Sequence, residues 1–143
     1  MDSESLIEHA EKVAKLSNQR FTPIRRKVYT CLVNADRPIG AYDILEKLDG
    51  VGAALPPTVY RALDWLLELG LIRKISSISK YIALPQGQNF DTVALLVCRS
   101  CNKTEVINPG TSFQPIQAAA NSSGFSDLES TLEIIGQCPG TAA

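Results

Sequence analysis

The chain has 143 residues, 45% of them hydrophobic and 20% charged, with nine Gly and eight Pro. That profile is globular, excludes a mostly disordered chain, and accommodates one ordinary domain or two small ones. Fourteen Lys and Arg against fifteen Asp and Glu leave a net charge of −1, a balance that names no partner and by itself weighs against nucleic acid.

In chain order, Ser5-Leu6-Ile7-Glu8 fits a capping box, and Leu6, Ala10, Val13 and Ala14 recur at helical spacing. A first helix is expected over about residues 4–16. Thr22-Pro23 supplies an N-cap and a first-turn Pro for a second helix, striped by Ile24, Val28, Cys31 and Leu32 and ending near Asn34-Ala35-Asp36. A short third helix, Ala41 to Leu48, turns Ile44, Leu45 and Leu48 inward. After Asp49-Gly50-Val51-Gly52, a breaker, Pro56-Pro57 opens a fourth helix. Its apolar face is Val59, Ala62, Leu63, Leu66 and Leu67; Thr58, Tyr60, Arg61, Asp64 and Glu68 line the other side, and Gly70 stops it. Leu71 to Ile75 and Lys80 to Leu84 form a hairpin around Ser76-Ser77-Ile78-Ser79. Helices followed by a hairpin, the last helix polar on one side, are the layout of a winged helix-turn-helix.

Pro85-Gln86-Gly87-Gln88-Asn89 reads as a hinge linker. Beyond it, Thr92 to Val97 is an apolar strand, Thr104 to Ile107 its return, and Phe113 to Asn121 a helix with Ile116, Ala119 and Ala120 inward. Leu128 to Ile135 is a last strand leading toward Cys138. The fold class is therefore α+β: a winged helix over 1–84, a linker over 85–89 and a small α/β domain over 90–143. The second domain is too small for a robust core alone, so burial against a second copy is expected.

Charge divides along the same line. Residues 17–84 hold ten basic and six acidic side chains, a net of +4; residues 85–143 hold two and five, a net of −3. The longest apolar run, Val93 to Cys98, is far short of a membrane span, and no basic start with an apolar stretch marks a secretory signal. The expected compartment is the cytoplasm, where disulfides are not the default.

Of four cysteines, Cys31 sits amid Val28, Leu32 and Val33 and reads as a small buried hydrophobe. Cys98 and Cys101 form a C-x-x-C pair at the end of a strand, to which Cys138 can return. The lone histidine, His9, beside Glu8 and Glu11 on a helix, reads as solvated, which disfavours His-based catalysis. Three thiolates hold zinc if a fourth ligand comes from Asp91, Glu133, water or a partner chain; otherwise they are an empty reduced set or a disulfide. A thioredoxin-like pair sits at a strand-to-helix junction, whereas this one reads as a strand-to-strand turn, so no enzyme is expected.

Pro56 through Ile72, with Thr58-Val59-Tyr60-Arg61 at its head, resembles the recognition helix of the ferric uptake regulator family, most nearly its zinc uptake branch. Arg20-Phe21-Thr22-Pro23-Ile24-Arg25-Arg26, Ala41-Tyr42-Asp43-Ile44-Leu45 and the placement of Leu95 to Cys101 resemble the same branch. The resemblance runs from about residue 8 to about residue 140. It implies a homodimeric transcriptional repressor that binds a double-stranded DNA operator, with Tyr60, Arg61 and Thr58 facing the bases and Arg20, Arg25 and Arg26 the phosphates. It also implies one structural zinc, held by two C-x-x-C pairs, and a sensory metal site near the hinge.

The chain departs from that pattern. Only Cys138 remains of the second pair, with Thr141 in its partner's place. Arg73, Leu84, Asp91 and Ile135 stand where the sensory ligands belong, and neither a guanidinium nor an aliphatic side chain ligates a metal. The expectation is a DNA-binding dimer without a regulatory metal. The alternative is an interaction module that forms a heterodimer with a related regulator or antagonises it.

Overall fold

The computed structural model describes residues 2–48, 55–86 and 91–141. The expected breaker at Asp49–Gly52 and most of the linker lie outside them. The chain divides into two compact units, Met1–Gln86 and Gly87–Ala143.

The first unit runs α1 (Ser3–Leu16), α2 (Pro23–Asn34), α3 (Ala41–Leu48), α4 (Pro56–Glu68), β1 (Ile72–Ile75) and β2 (Lys80–Ala83). Ser5 does not cap the first helix, contrary to the expected capping box. The cap of α1 is Asp2, whose carboxylate accepts the Ser5 N–H at 2.7 Å. Ser5 lies inside the first turn, because an acceptor three residues earlier already satisfies its amide. Thr22 caps α2 as expected, accepting the Arg25 N–H at 3.4 Å, with Pro23 in the first turn.

Among the described residues no side chain caps α4, whose N-cap is Leu55. Pro56 and Pro57 have no N–H to satisfy, and the Leu55 carbonyl accepts from Thr58 at 2.9 Å and Val59 at 3.3 Å. The other end closes in a Schellman motif. Gly70 adopts φ +72° and donates to the Leu67 carbonyl, and Leu71 reaches back to Leu66 at 3.1 Å. Leu71 is itself buried, so the stop also delivers an apolar side chain to the core.

That core gathers Leu6, Ala10 and Ala14 of α1, Val28, Tyr29 and Leu32 of α2, Ile44 of α3, and Val59, Ala62, Leu63, Trp65 and Leu66 of α4. Leu45 and Leu67 contribute partial burial, as does Cys31. Helix α2 packs against α1, α3 and α4. Deleting a fully buried leucine such as Leu63 or Leu66 costs about 2–5 kcal/mol. The hairpin pairs antiparallel, Ile72 opposite Ala83 and Ile75 opposite Lys80. It joins the helices through a bridge between Ile39 and Tyr81, whose backbone groups exchange hydrogen bonds of 3.1 and 2.9 Å.

The second unit holds β3 (Thr92–Cys98), β4 (Thr104–Ile107), α5 (Gln114–Ser122), β5 (Ser130–Gly136) and a 3₁₀ turn, Pro139–Thr141. The sheet order is β4-β3-β5, with β3 antiparallel to β4 and parallel to β5. Strand β3 is central and carries the burial in Val93, Ala94, Leu95, Val97 and Cys98. Helix α5 does not bury the expected stripe of Ile116, Ala119 and Ala120. Ile116 is 68% exposed, Ala119 is exposed, Ala120 is only partly covered, and no residue of the helix is buried. Helical spacing marks the apolar stripe of α5 but supplies no partner for it, and the sheet likewise leaves Leu96, Leu132 and Ile134 exposed. Among the described residues no helix is long and apolar enough to cross a membrane.

Candidate nucleic-acid interface and thiol cluster

The periodicity that buries Val59, Leu63 and Leu66 leaves the opposite side of α4 to solvent. Tyr60 is 40% exposed, Arg61 is exposed, and Thr58 is half-buried in the first turn. Asp64, three residues on, stands where it can pair with Arg61 along a helix. No such pair forms: Arg61 has neither hydrogen bond nor ion pair among the described residues. Tyr81 of β2 lies beneath this face; burial raises its phenol above the ordinary range, and Tyr60 and Asp64 add to the shift. The second turn of α4 thus presents an aromatic ring and an uncommitted guanidinium on the open face of the helix.

The three arginines around the start of α2 are held differently. Arg20 is exposed. Arg25 stacks its guanidinium over the Trp65 ring at 4.3 Å and donates to the Arg20 carbonyl at 2.6 Å. Trp65 in turn stacks on Phe21, with ring centroids 5.8 Å apart, and donates its Nε1–H to Gln19 at 3.3 Å. Arg26 sits over Phe21 at 5.0 Å and is paired with Glu11 of α1. Glu11, expected only as a neighbour of His9, is thus a partner of the Arg26 side chain. The sequence reading missed Lys12 and Lys15, which line one groove with Arg20, Phe21 and Arg26. A helical wheel of α1 puts Glu11 and Lys15 one turn apart, but only the packing of α1 on α2 brings them beside Arg26.

In the second unit, parallel pairing sets Val97 opposite Ile135 and Cys98 opposite Gly136, so β3 and β5 end side by side. The β3–β4 turn then brings Cys101 back, and the chain leaving β5 brings Cys138. Their sulfurs stand 3.8 Å apart, and the Cys138 N–H donates to the Cys98 sulfur at 3.5 Å. Cys98 is 3% exposed; the other two are half-buried. For Cys101, a hydrogen bond with the Lys103 backbone favours the thiolate. Desolvation and hydrogen bonds with the Cys98 and Cys138 sulfurs outweigh it and raise the thiol above its ordinary range. All four cysteines are thiols rather than half-cystines.

The three sulfurs lie within 4.8 Å of one another. Zinc bound to four thiolates at ~2.3 Å holds them on a tetrahedron with edges of about 3.8 Å. The Cys101–Cys138 separation matches that edge, so the cluster fits zinc after contracting by at most about 1 Å. Neither Asp91 nor Glu133 joins it, and no other set of three His, Cys, Asp or Glu gathers for a metal among the described residues. At the expected sensory positions, Arg73 and Leu84 are buried, whereas Asp91 and Ile135 are exposed.

A helical unit ended by a hairpin, with one helix face left open, joined to a small sheet carrying a zinc-fitting thiol set, defines a winged-helix regulator with a second, metal-capable unit. The ferric uptake regulator family model matches residues 17–135, and the chain belongs to that family, among transcription regulators of the ferric and zinc uptake type. It is 33% identical to the zinc uptake regulation protein of Escherichia coli (strain K12) over 138 residues, covering 95% of this chain and 81% of the relative. A zinc uptake regulator solved in complex with zinc and DNA superposes with a TM-score of 0.89 at 31% identity, covering 98% of this chain and 95% of the other. Holo XcZur superposes at 0.83 with 30% identity, covering 95% and 96%.

Proposed function

We propose that this protein is a sequence-specific DNA-binding repressor that acts as a homodimer and no longer depends on a regulatory metal. The observation that carries the reading is Arg61, exposed and uncommitted in the first turns of α4 beside Tyr60. Recognition helices place that end in the major groove. Arg61 offers a two-donor fork for guanine, and Tyr60 a ring for a thymine methyl or a phosphate. Thr58 adds a hydroxyl at the helix entrance. Arg20 and Arg26 meet the phosphate backbone. Arg25, clamped between Trp65 and the Arg20 carbonyl, positions that corner and contributes its charge. A DNA partner is supported by the zinc uptake regulator that was solved with zinc and DNA.

The dimer reading rests on the second unit. Leu96, Ile116, Phe125, Leu132, Ile134 and Ile135 are large apolar side chains left exposed there, and among the described residues no strand pairs with the outer side of β5. An edge that is both apolar and unpaired is a template for a second strand. A second copy supplies one and spaces two recognition helices for two half-sites.

Independence of a sensory metal follows from side-chain chemistry at Arg73, Leu84 and Ile135. The test is selection of duplexes from random DNA by the purified protein, then affinity for the selected duplex with added zinc and with chelator. Recovery of a palindromic site bound within twofold under both conditions is expected. A tenfold zinc response overturns the metal-independent reading. Failure to enrich any duplex overturns the DNA-binding reading and favours an interaction module that needs a partner.

A further inference from the structure

Helix α1 turns Leu6, Ala10 and Ala14 inward and leaves Lys12 and Lys15 exposed on its outer side. Each lysine has a local partner within reach, because a Glu four residues before a Lys is the favoured pairing along a helix. Glu8 stands so for Lys12 and Glu11 for Lys15. Neither pair forms. Glu11 crosses to Arg26 of α2 instead. Among the described residues Lys12 and Lys15 make no hydrogen bond or ion pair through their side chains.

The groove they line is edged by four cations, Lys12, Lys15, Arg20 and Arg26, against two carboxylates, Glu8 and Glu11, so its surplus charge is positive. It adjoins the corner assigned above to DNA phosphates. The Arg20 carbonyl holds the Arg25 guanidinium, which lies over Trp65 of α4. Phe21, the one aromatic side chain of the groove, is already stacked on Trp65 and met by Arg26. A partner protein therefore finds no open aromatic anchor here, whereas a phosphate backbone needs none.

We propose that α1 extends the DNA interface: Lys12 and Lys15, following on from Arg20, bind phosphates of the duplex that flanks the half-site read by α4. The two lysines are three residues apart, a rise of ~4.5 Å. A DNA strand carries one charge per ~3.4 Å of axis, and flexible lysine stems let the two ammonium groups reach separate phosphates. Such contacts position the protein and carry no base preference. Affinity, and not sequence choice, then depends on the flanks. This inference rests on the DNA-binding reading, and the outcomes below tell the failure of one from the failure of the other.

The test measures binding of the full chain to two selected duplexes by fluorescence anisotropy, from about 50 to about 200 mM salt. One duplex is trimmed to the base pairs that selection fixes; the other carries a further helical turn, about ten base pairs, on each side. The double variant Lys12→Gln/Lys15→Gln is expected to match the wild type on the trimmed duplex. On the extended duplex it should lose two phosphate contacts per protomer. With a slope of about −0.9 per phosphate and about four such contacts in a dimer, wild-type affinity should fall ~150-fold more than the variant's across that salt range. Base preferences and far-ultraviolet circular dichroism should stay as in the wild type. Equal salt slopes for variant and wild type on the extended duplex overturn this inference alone and leave the groove to an acidic partner protein. A loss of the same size on both duplexes overturns it too, because the lysines then act inside the read site. Failure of the wild type to select any duplex overturns the DNA-binding reading and this inference with it.

Discussion

Arg61→Ala isolates base reading from folding. In the free protein the Arg61 side chain is exposed and makes no hydrogen bond or ion pair among the described residues, and alanine is at least as good a helix former. Stability should therefore stay within about 0.5 kcal/mol of wild type. The loss falls on the complex. One bidentate contact from Arg to guanine is worth ~1–3 kcal/mol. A dimer on a palindromic site carries two such contacts far enough apart to add, for ~2–6 kcal/mol in all. The dissociation constant should rise from about 30-fold to about 10⁴-fold. Fluorescence anisotropy with a labelled selected duplex at fixed salt measures it, and duplexes altered one base pair at a time should reveal one position per half-site where discrimination is relaxed. Arg25→Ala is the contrast, because removing the guanidinium from Trp65 costs folding stability as well. If Arg61→Ala binds the duplex within twofold of wild type and keeps every base preference, the readout role assigned to this residue is wrong.

Further outcomes follow from other contacts. Glu11→Gln releases Arg26 from its carboxylate partner; operator affinity should rise severalfold, and the slope of log affinity against log salt should steepen by about one per protomer. Ile134→Asp puts a charge on the exposed face of the edge strand; sedimentation should show a monomer, with the first unit still folded. Tyr29 is wholly buried and its hydroxyl has no hydrogen-bond partner among the described residues, so Tyr29→Phe should gain about 1 kcal/mol in urea denaturation at pH 7. Burial pushes the Tyr29 phenol from 10.0 to about 12, so the unfolded chain ionises first. The wild type should lose stability as pH rises from about 10 toward about 12, and the phenylalanine variant should escape that share.

Much of the first unit follows from local rules. The spacing of Ala41, Ile44 and Leu48 marks α3, and Gly70 ends α4 because a left-handed residue is needed there whatever surrounds it. The apolar stripe of α4 leaves Tyr60 and Arg61 outward by helical geometry alone, so the candidate base-reading pair was legible. A cap is less so, since Asp2 and Ser5 both offer an oxygen and only the coordinates choose Asp2.

Contacts between residues distant in the chain were another matter. Glu11 meets Arg26, and Arg25 meets Trp65, through packing angles that no periodicity encodes. Ile116, Ala119 and Ala120 of α5 have the spacing of a buried stripe, yet nothing among the described residues covers it. Amphipathic spacing declares which face is apolar and not what will lie against it. The cysteines divide the same way. Their number and the absent fourth thiol are written in the residues. That Cys138 lands 3.8 Å from Cys101 depends on β5 running parallel to β3 in one register, because strand pairing, a long-range choice among competing hydrogen-bonded partners, is settled only when the whole sheet closes.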